Sequence, residues 1–203
     1  MPMILRTAAA SPFGRKVKIA ADILGLSDQV TLQASDPFDD EDSLRAQNPL
    51  GKIPVLMAED GSAIYDSRVI CEYLDTLAGG GKIFPIEPKA RLHALREQAL
   101  ADGMMDAGIV QIYEKRVRPE DKQHAPWLEY QSEKVTRALT YLEENMPVLH
   151  HTPTIGEISL ACALGYLDFR FNGEWRTTHL KLVEWLEAFT GAVPSYDKTK
   201  PPA

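Results

Sequence analysis

Ser11-Pro12-Phe13-Gly14 sets a hydroxyl directly before a proline. Serine is a favoured helix N-cap and proline a favoured first helical residue, so the pair marks a helix start. A hydroxyl accepts and donates at once. Its oxygen can take a helix amide while its proton points at an anion, which the positive end of the helix also favours. Serine is no base near neutrality, so the chemistry on offer is stabilisation of an anion, not proton abstraction. In Gly51-Lys52-Ile53-Pro54-Val55-Leu56 a proline stands at the entrance to a strand. An X-Pro bond adopts cis for only about 0.5–1 kcal/mol. A cis bond here would turn the Ile53 N–H and C=O toward an extended peptide, which could pair with them as a short added strand. Asp66-Ser67 has the form of a second helix cap. Helix N-terminal amides bind carboxylates, Ser67 adds a hydroxyl, and Asp66 accepts from an ammonium, so the pair suits a free amino-acid terminus. Taken alone, each motif reads as an ordinary cap or strand opening. Met104, Met105 and Ile109, within the stretch from Ala99 to Arg118, read either as bundle core or as the wall of an apolar pocket facing Ser11.

The elements that must position these groups are of two kinds. Up to residue 78, strand and helix signals alternate. Met3-Ile4-Leu5 is a short apolar strand. A helix follows Ser11, with Phe13, Val17, Ala20, Ala21 and Leu24 on one face, until Gly25 stops it. Val30 to Ala34 alternates, which directs Val30, Leu32 and Ala34 inward. Strands from Val55 to Ala58 and Ala63 to Tyr65 flank the Asp60-Gly61 turn. A helix opened by Asp66 carries Val69, Ile70, Tyr73 and Leu74 and runs out at Gly79-Gly80-Gly81. The order β-α-β, connector, β-β-α is thioredoxin-like topology. Redox domains of that fold carry CxxC where this chain has Ser11 and Gly14, so dithiol chemistry is excluded there.

After Pro85 the pattern is helical: Pro88 to about Lys115 with Leu92, Leu95, Leu100, Met104 and Ile112 recurring, then Ala125 to Met146. Thr154 and Glu157 have capping-box spacing ahead of a segment apolar nearly all round, the expected centre of a bundle. A last helix carries Leu182, Val183, Leu186 and Phe189. The expected fold is therefore an α/β thioredoxin-like domain over residues 1–78, a linker over 79–87 and an all-α helical bundle over 88–203.

Composition narrows the function classes. A net charge of -7 argues against nucleic acid as a partner. Arg15, Lys16, Lys18, Arg45, Lys52 and Arg68 read as a solvated basic face, and the run from Asp36 to Asp42 as an exposed loop without chemistry. Cys71 and Cys162 fall in apolar helical contexts, without CxxC or zinc-like clustering; they read as buried free thiols suited to a reducing compartment, with no metal site. No stretch approaches the roughly 18 apolar residues of a membrane span, and Met1 to Leu5 lacks the form of a signal peptide. The expected location is cytoplasmic.

With these residues placed, the chain resembles the glutathione transferase superfamily across nearly its whole length, most closely bacterial members with serine at the start of helix one. The stretches that carry the resemblance, in order, are SPFGRKV, NPLGKIPVL, YDSRVICEYL, ALADGMMDAG and VPSYDKTKPP. It implies a homodimer with glutathione as cosubstrate and no prosthetic group, joining the thiol to a small hydrophobic electrophile or reducing a peroxide. Ser11 would contact the glutathione sulfur. Ile53, beside cis-Pro54, would bind the cysteinyl backbone, and Asp66 and Ser67 the γ-glutamyl end, with Phe13 also at the glutathione site and Lys52 reaching the glycyl carboxylate. Thr7 is a second candidate hydroxyl. No tyrosine precedes Tyr65, so the tyrosine-dependent classes do not fit. A protein that binds glutathione with little catalysis, for scavenging, regulation or assembly, is the alternative. One departure stands out: Gly156-Glu157 replaces the alanine and aspartate common in the family, which predicts a slightly looser start to that helix.

Overall fold

The computed structural model describes residues 2–39 and 41–202. Its first half is built on one sheet of order β2-β1-β3-β4: β1 Met3–Thr7, β2 Val30–Ala34, β3 Val55–Met57 and β4 Ala63–Ile64. β1 pairs parallel with β2 and antiparallel with β3, which pairs antiparallel with β4. Helices α1 Pro12–Ile23, α2 Leu44–Gln47 and α3 Ser67–Leu77 complete this half. The second half is helical: α4 Pro88–Val117, α5 Ala125–Glu144, α6 Ile155–Arg170, α7 Leu180–Ala192 and the short α8 Ser195–Lys198. This is a thioredoxin-like α/β domain followed by an all-α domain. The hairpin strands, and the end of α5, stop one or two residues short of the sequence expectation, and α4 runs two residues further.

The alternation in β2 does not produce an inward face. β2 is the edge strand, and Leu32 is 57% exposed. Period two sets opposite directions for neighbouring side chains, but whether either face is covered depends on what packs there. Leu92 on α4 is exposed for the same reason, as is Val69 on α3. The buried side of α4 runs instead through Ala94, Gln98, Ala101, Met105 and Gly108, small enough in part to let α6 approach closely.

That approach decides the start of α6. Thr154 and Glu157 form the capping box, and Glu157 is 1% exposed. Its carboxylate accepts from the Thr154 and His150 amides at 2.6 and 3.1 Å and from the His150 ring, which raises the pKa of His150. A Cβ on Gly156 would lie 2.9 Å from the Ala94 carbonyl oxygen and 2.6 Å from Glu97 Oε2. The expected loose start is therefore wrong: glycine lets α6 dock against α4, and the longer glutamate reaches His150 as well as the cap.

The basic residues of α1 are not a solvated face. Lys16 is fully buried, and its Nζ donates to Asp102 of α4 at 2.8 and 3.0 Å. Burial raises the Asp102 pKa, against the pull of Lys16. Arg15 donates to the Tyr196 carbonyl at 2.7 Å and stacks on the Tyr196 ring, tying α1 to the C-terminal segment. Removing one partner of such a buried pair costs about 3–5 kcal/mol, because the other charge is stranded. The acidic run likewise has a structural job: Asp42 pairs with buried Arg6, which also donates to Ser35, Ser43 and Gln47. Asp40 of that run lies outside the described residues.

Between the halves, the Asp75 carboxylate accepts the amides of Gly81, Lys82 and Ile83. Gly79, Gly80 and Gly81 all have positive φ, which only glycine adopts freely. The Ile83 carbonyl in turn accepts from Ile155 at the head of α6, docking the connection on the helical half. Cys71 and Cys162 are free and buried, and burial pushes their thiols up to about 12 and about 11, so neither is a nucleophile at neutral pH.

Candidate functional site at the sheet edge facing helix four

The strand directions bring the separated motifs to one edge. β1, β2 and β4 end there, and β3, being antiparallel, begins there. Ser11 follows β1, the 35–43 connector follows β2, Ile53 and Pro54 precede β3, and Asp66 and Ser67 follow β4. The Ser35 amide donates to the Thr7 carbonyl at 3.2 Å, fixing the start of the connector beside the Ser11 loop. In sheets with parallel strands, the edge at the strand carboxyl ends is where ligands bind.

Ser11 caps α1, accepting the Gly14 amide at 3.1 Å with extended backbone. Its own proton has no acceptor among the described residues, and the first turn of α1 carries no acidic side chain. Gly14 allows this tight start: a Cβ there would fall 1.8 Å from Thr7 Oγ1. The same contact places Thr7, 6% exposed, beneath the helix, so it is poorly set to replace Ser11 as an open donor. Phe13 is half-buried, with Lys16 Nζ 5.6 Å from its ring.

The Ile53–Pro54 bond is cis. Ile53 is partly exposed and Pro54 buried, while Lys52 projects to solvent with its carbonyl held by Asn48 at 2.8 Å. Asp66 caps α3 by accepting the Arg68 amide at 2.9 Å, and Arg68 also pairs with it by side chain at 2.7 Å. The Arg68 hydrogen bond holds the Asp66 carboxyl below its usual range. Ser67 sits at the first helical position and is 2% exposed.

The opposite wall is α4. Asp102, Asp106, Ile109, Tyr113 and Arg116 recur at the spacing of one helix face. Asp102 reaches Lys16; Asp106, its pKa raised by desolvation, is opposed by the charges of Lys52, Arg68 and Lys16. Tyr113 meets Phe38 of the connector. Ile109 is therefore on the cleft side. Met104 and Met105, expected beside it, are not: at 2% and 1% exposed they belong to the core. Met104 points about 140° away from Ile109 around the helix and Met105 only about 40°, so packing rather than apolarity decides which of the three stay open. Nothing in the sequence pattern marks Asp102, Asp106 and Tyr113 on α4 or Arg15 on α1, because polar helical residues look like surface until their partner is known. Tyr166 of α6 also lines the crevice beside Ser11, and burial raises its phenol to about 12.

Ser11 at the start of α1, the cis-Pro54 entrance to β3 and the Asp66-Ser67 start of α3 thus share one edge of a thioredoxin-like domain. Comparisons with known proteins identify the family. Residues 10–77 match the family described as glutathione S-transferase, N-terminal domain. An uncharacterized GST-like protein of Escherichia coli K12, YibF, is 34% identical over 95% of both chains. A glutathione transferase family member from Pseudomonas fluorescens Pf-5, solved with bound glutathione, is 40% identical, with a TM-score of 0.90 over 99% of this chain and 100% of that one. The same protein solved with bound S-(propanoic acid)-glutathione matches at 39% identity and a TM-score of 0.86, over 98% and 100% of the two chains. The chain belongs to the glutathione transferase superfamily.

Proposed function

We propose that this chain is a cytoplasmic glutathione transferase of the detoxifying kind, in which the Ser11 hydroxyl donates to the glutathione thiolate. Residues 1–78 would form the glutathione-binding domain, 79–87 the linker and 88–203 the helical domain that faces the electrophile. The observation that carries the reading is the open start of α1: Ser11 spends its oxygen on Gly14, its proton meets no acceptor among the described residues, and the first turn holds no acid. An unperturbed thiol titrates near about 8.5, so each unit of depression raises the thiolate fraction roughly tenfold near neutrality.

Glutathione fits the rest of the edge. The Ile53 backbone would pair with the cysteinyl unit, Ser67 and the α3 amides with the γ-glutamyl carboxylate, and Asp66 with its ammonium group. Lys52 would reach the glycyl carboxylate, with Phe13 closing the floor. The second substrate would lie along Ile109 toward Tyr113, as a small hydrophobic electrophile or a peroxide. The relative that holds S-(propanoic acid)-glutathione supports an adduct that carries an acid. Calorimetry with glutathione and with an analogue lacking the free amino group tests the site. Tighter binding of glutathione is expected; equal affinity removes the roles given to Asp66 and Ser67.

We also propose a homodimer. Leu50, Leu92 and Val148 are exposed at 72%, 68% and 71%, and an open groove of about 1120 Å³ runs between α4 and α5 past Leu100, Leu142 and Met146. Exposed apolar surface of this kind favours association. Light scattering over a hundredfold dilution range should give twice the 22.6 kDa chain mass; a monomer that binds glutathione fully would refute the dimer.

A further inference from the structure

At one end of the cleft the connector after β2 meets α4, away from the residues assigned above to glutathione. The Phe38 ring, in the connector after β2, meets Tyr113 of α4 edge-on, with centroids 5.3 Å apart and planes at 63°. The Arg116 guanidinium, one turn further along α4, lies 5.0 Å from the centre of the Phe38 ring. Phe38 and Tyr113 stay 47% and 37% exposed, so each keeps surface for a third ring.

The connector is held in place rather than draped. Asp36 Oδ1 accepts the Phe38 amide at 3.0 Å, and Arg45 donates to the Pro37 and Asp39 carbonyls at 3.1 and 3.2 Å. Asp39 and Asp42 are turned into the connector's own backbone: Asp39 accepts from Glu41 at 2.9 Å, and Asp42 from Leu44 at 2.8 Å as well as from Arg6. On α4, Glu114 pairs with Arg118 at 2.9 Å. Arg116 is left with the Phe38 ring as its contact and no carboxylate partner among the described residues. A guanidinium beside two partly open aromatic rings is a receptor for a flat ring that carries an acid.

We propose that Phe38, Tyr113 and Arg116 set the specificity of the reaction, selecting a planar aryl electrophile that bears a carboxylate. The inference rests on the glutathione transferase reading, in which the sulfur lies at Ser11. Tyr113 stands roughly 10 Å beyond Asp106 along α4 at 1.5 Å per helical residue, and a flat aryl ring offers Phe38 and Tyr113 a face that an alkyl acid lacks. With 4-chloro-3-nitrobenzoate, the thiolate sulfur forms the C–S bond to the ring carbon. The C–Cl bond then breaks with its electron pair, and chloride leaves; the thiol proton has passed to solvent.

Three probes test this by calorimetry without requiring turnover: glutathione, S-(4-carboxy-2-nitrophenyl)glutathione and S-(2,4-dinitrophenyl)glutathione. The wild type should bind the carboxylate conjugate about tenfold more tightly than the dinitro conjugate, as expected for one charge-assisted contact. Arg116→Gln should erase that difference and leave glutathione affinity unchanged. Phe38→Ala and Tyr113→Ala should weaken both conjugates roughly three- to tenfold and again spare glutathione. All three residues are partly or largely exposed, and an unchanged melting temperature confirms that the variants fold. Equal affinity of the two conjugates for wild type, or variants that bind both as wild type does, overturns the specificity proposal alone. Failure of wild type to bind glutathione overturns the transferase reading, and this inference with it.

Discussion

Two helix starts in this molecule use the same kind of residue to opposite ends. At α6, Thr154 caps the helix and Glu157 reaches back to the Thr154 amide, so the helix supplies its own counter-charge inside the core. At α1, Ser11 caps the helix but the third position is Gly14, and the first turn has no acid. One N-terminus is closed and buried; the other is left with its dipole and a hydroxyl proton unspent. The α3 start lies between them, because Asp66 caps it but is neutralised by Arg68. α4 follows the closed pattern, its Glu87 cap accepting the Lys89 and Ala90 amides at 2.9 and 2.7 Å. The α6 and α4 starts satisfy themselves through their own acids, whereas the α1 start facing the cleft does not. What each start has to satisfy is the same, namely free amides and a positive dipole end.

Glu157→Ala should produce the largest change. It strips a buried acceptor from the Thr154 and His150 amides, and unfolding free energy should fall by about 2–3 kcal/mol. Glutathione affinity should stay within twofold, because the closed start serves the core. Denaturant melts with parallel calorimetry measure both, and a large loss of affinity at unchanged stability would reverse the roles assigned to the two helix starts.

Ser11→Ala should do the opposite. Loss of one cap costs stability only about 0.5–1 kcal/mol. Loss of a hydrogen bond to a charged sulfur costs about 1.5–3 kcal/mol, so turnover should fall ten- to a hundredfold. The acidic limb of the pH–rate profile should move upward, since the thiolate has lost a stabiliser. If rate and profile are both unchanged, Ser11 is a cap and nothing more.

Val69→Glu sharpens the comparison at α3. Val69 is 52% exposed and occupies the third position of the helix, so a glutamate there can close a capping box on Asp66. An added anion at a helix N-terminus is worth about 0.3–1 kcal/mol, so stability should hold or rise slightly. Glutathione affinity should fall roughly two- to fivefold, because the carboxylate competes for the same dipole end. Unchanged affinity would place the γ-glutamyl group elsewhere.

The sequence by itself determined what depends on near neighbours. Ser11-Pro12 and Thr154-x-x-Glu157 specify helix starts because a cap bonds to amides two or three residues on. The strand and helix order follows from periodicity, and the cis-proline entrance from the pyrrolidine ring. Those local signals also announced the positions that gather at the sheet edge. Only the tertiary structure decided which faces are covered and which charges are paired. Lys16 looks like surface in sequence and is fully buried, because its partner Asp102 stands 86 residues away. Met104 and Ile109 are equally apolar, yet one is buried in the core and the cleft borders the other. Leu32 and Leu92 keep correct periodicity and remain in solvent. Period fixes direction, but burial requires a surface to meet, and that surface comes from residues far along the chain.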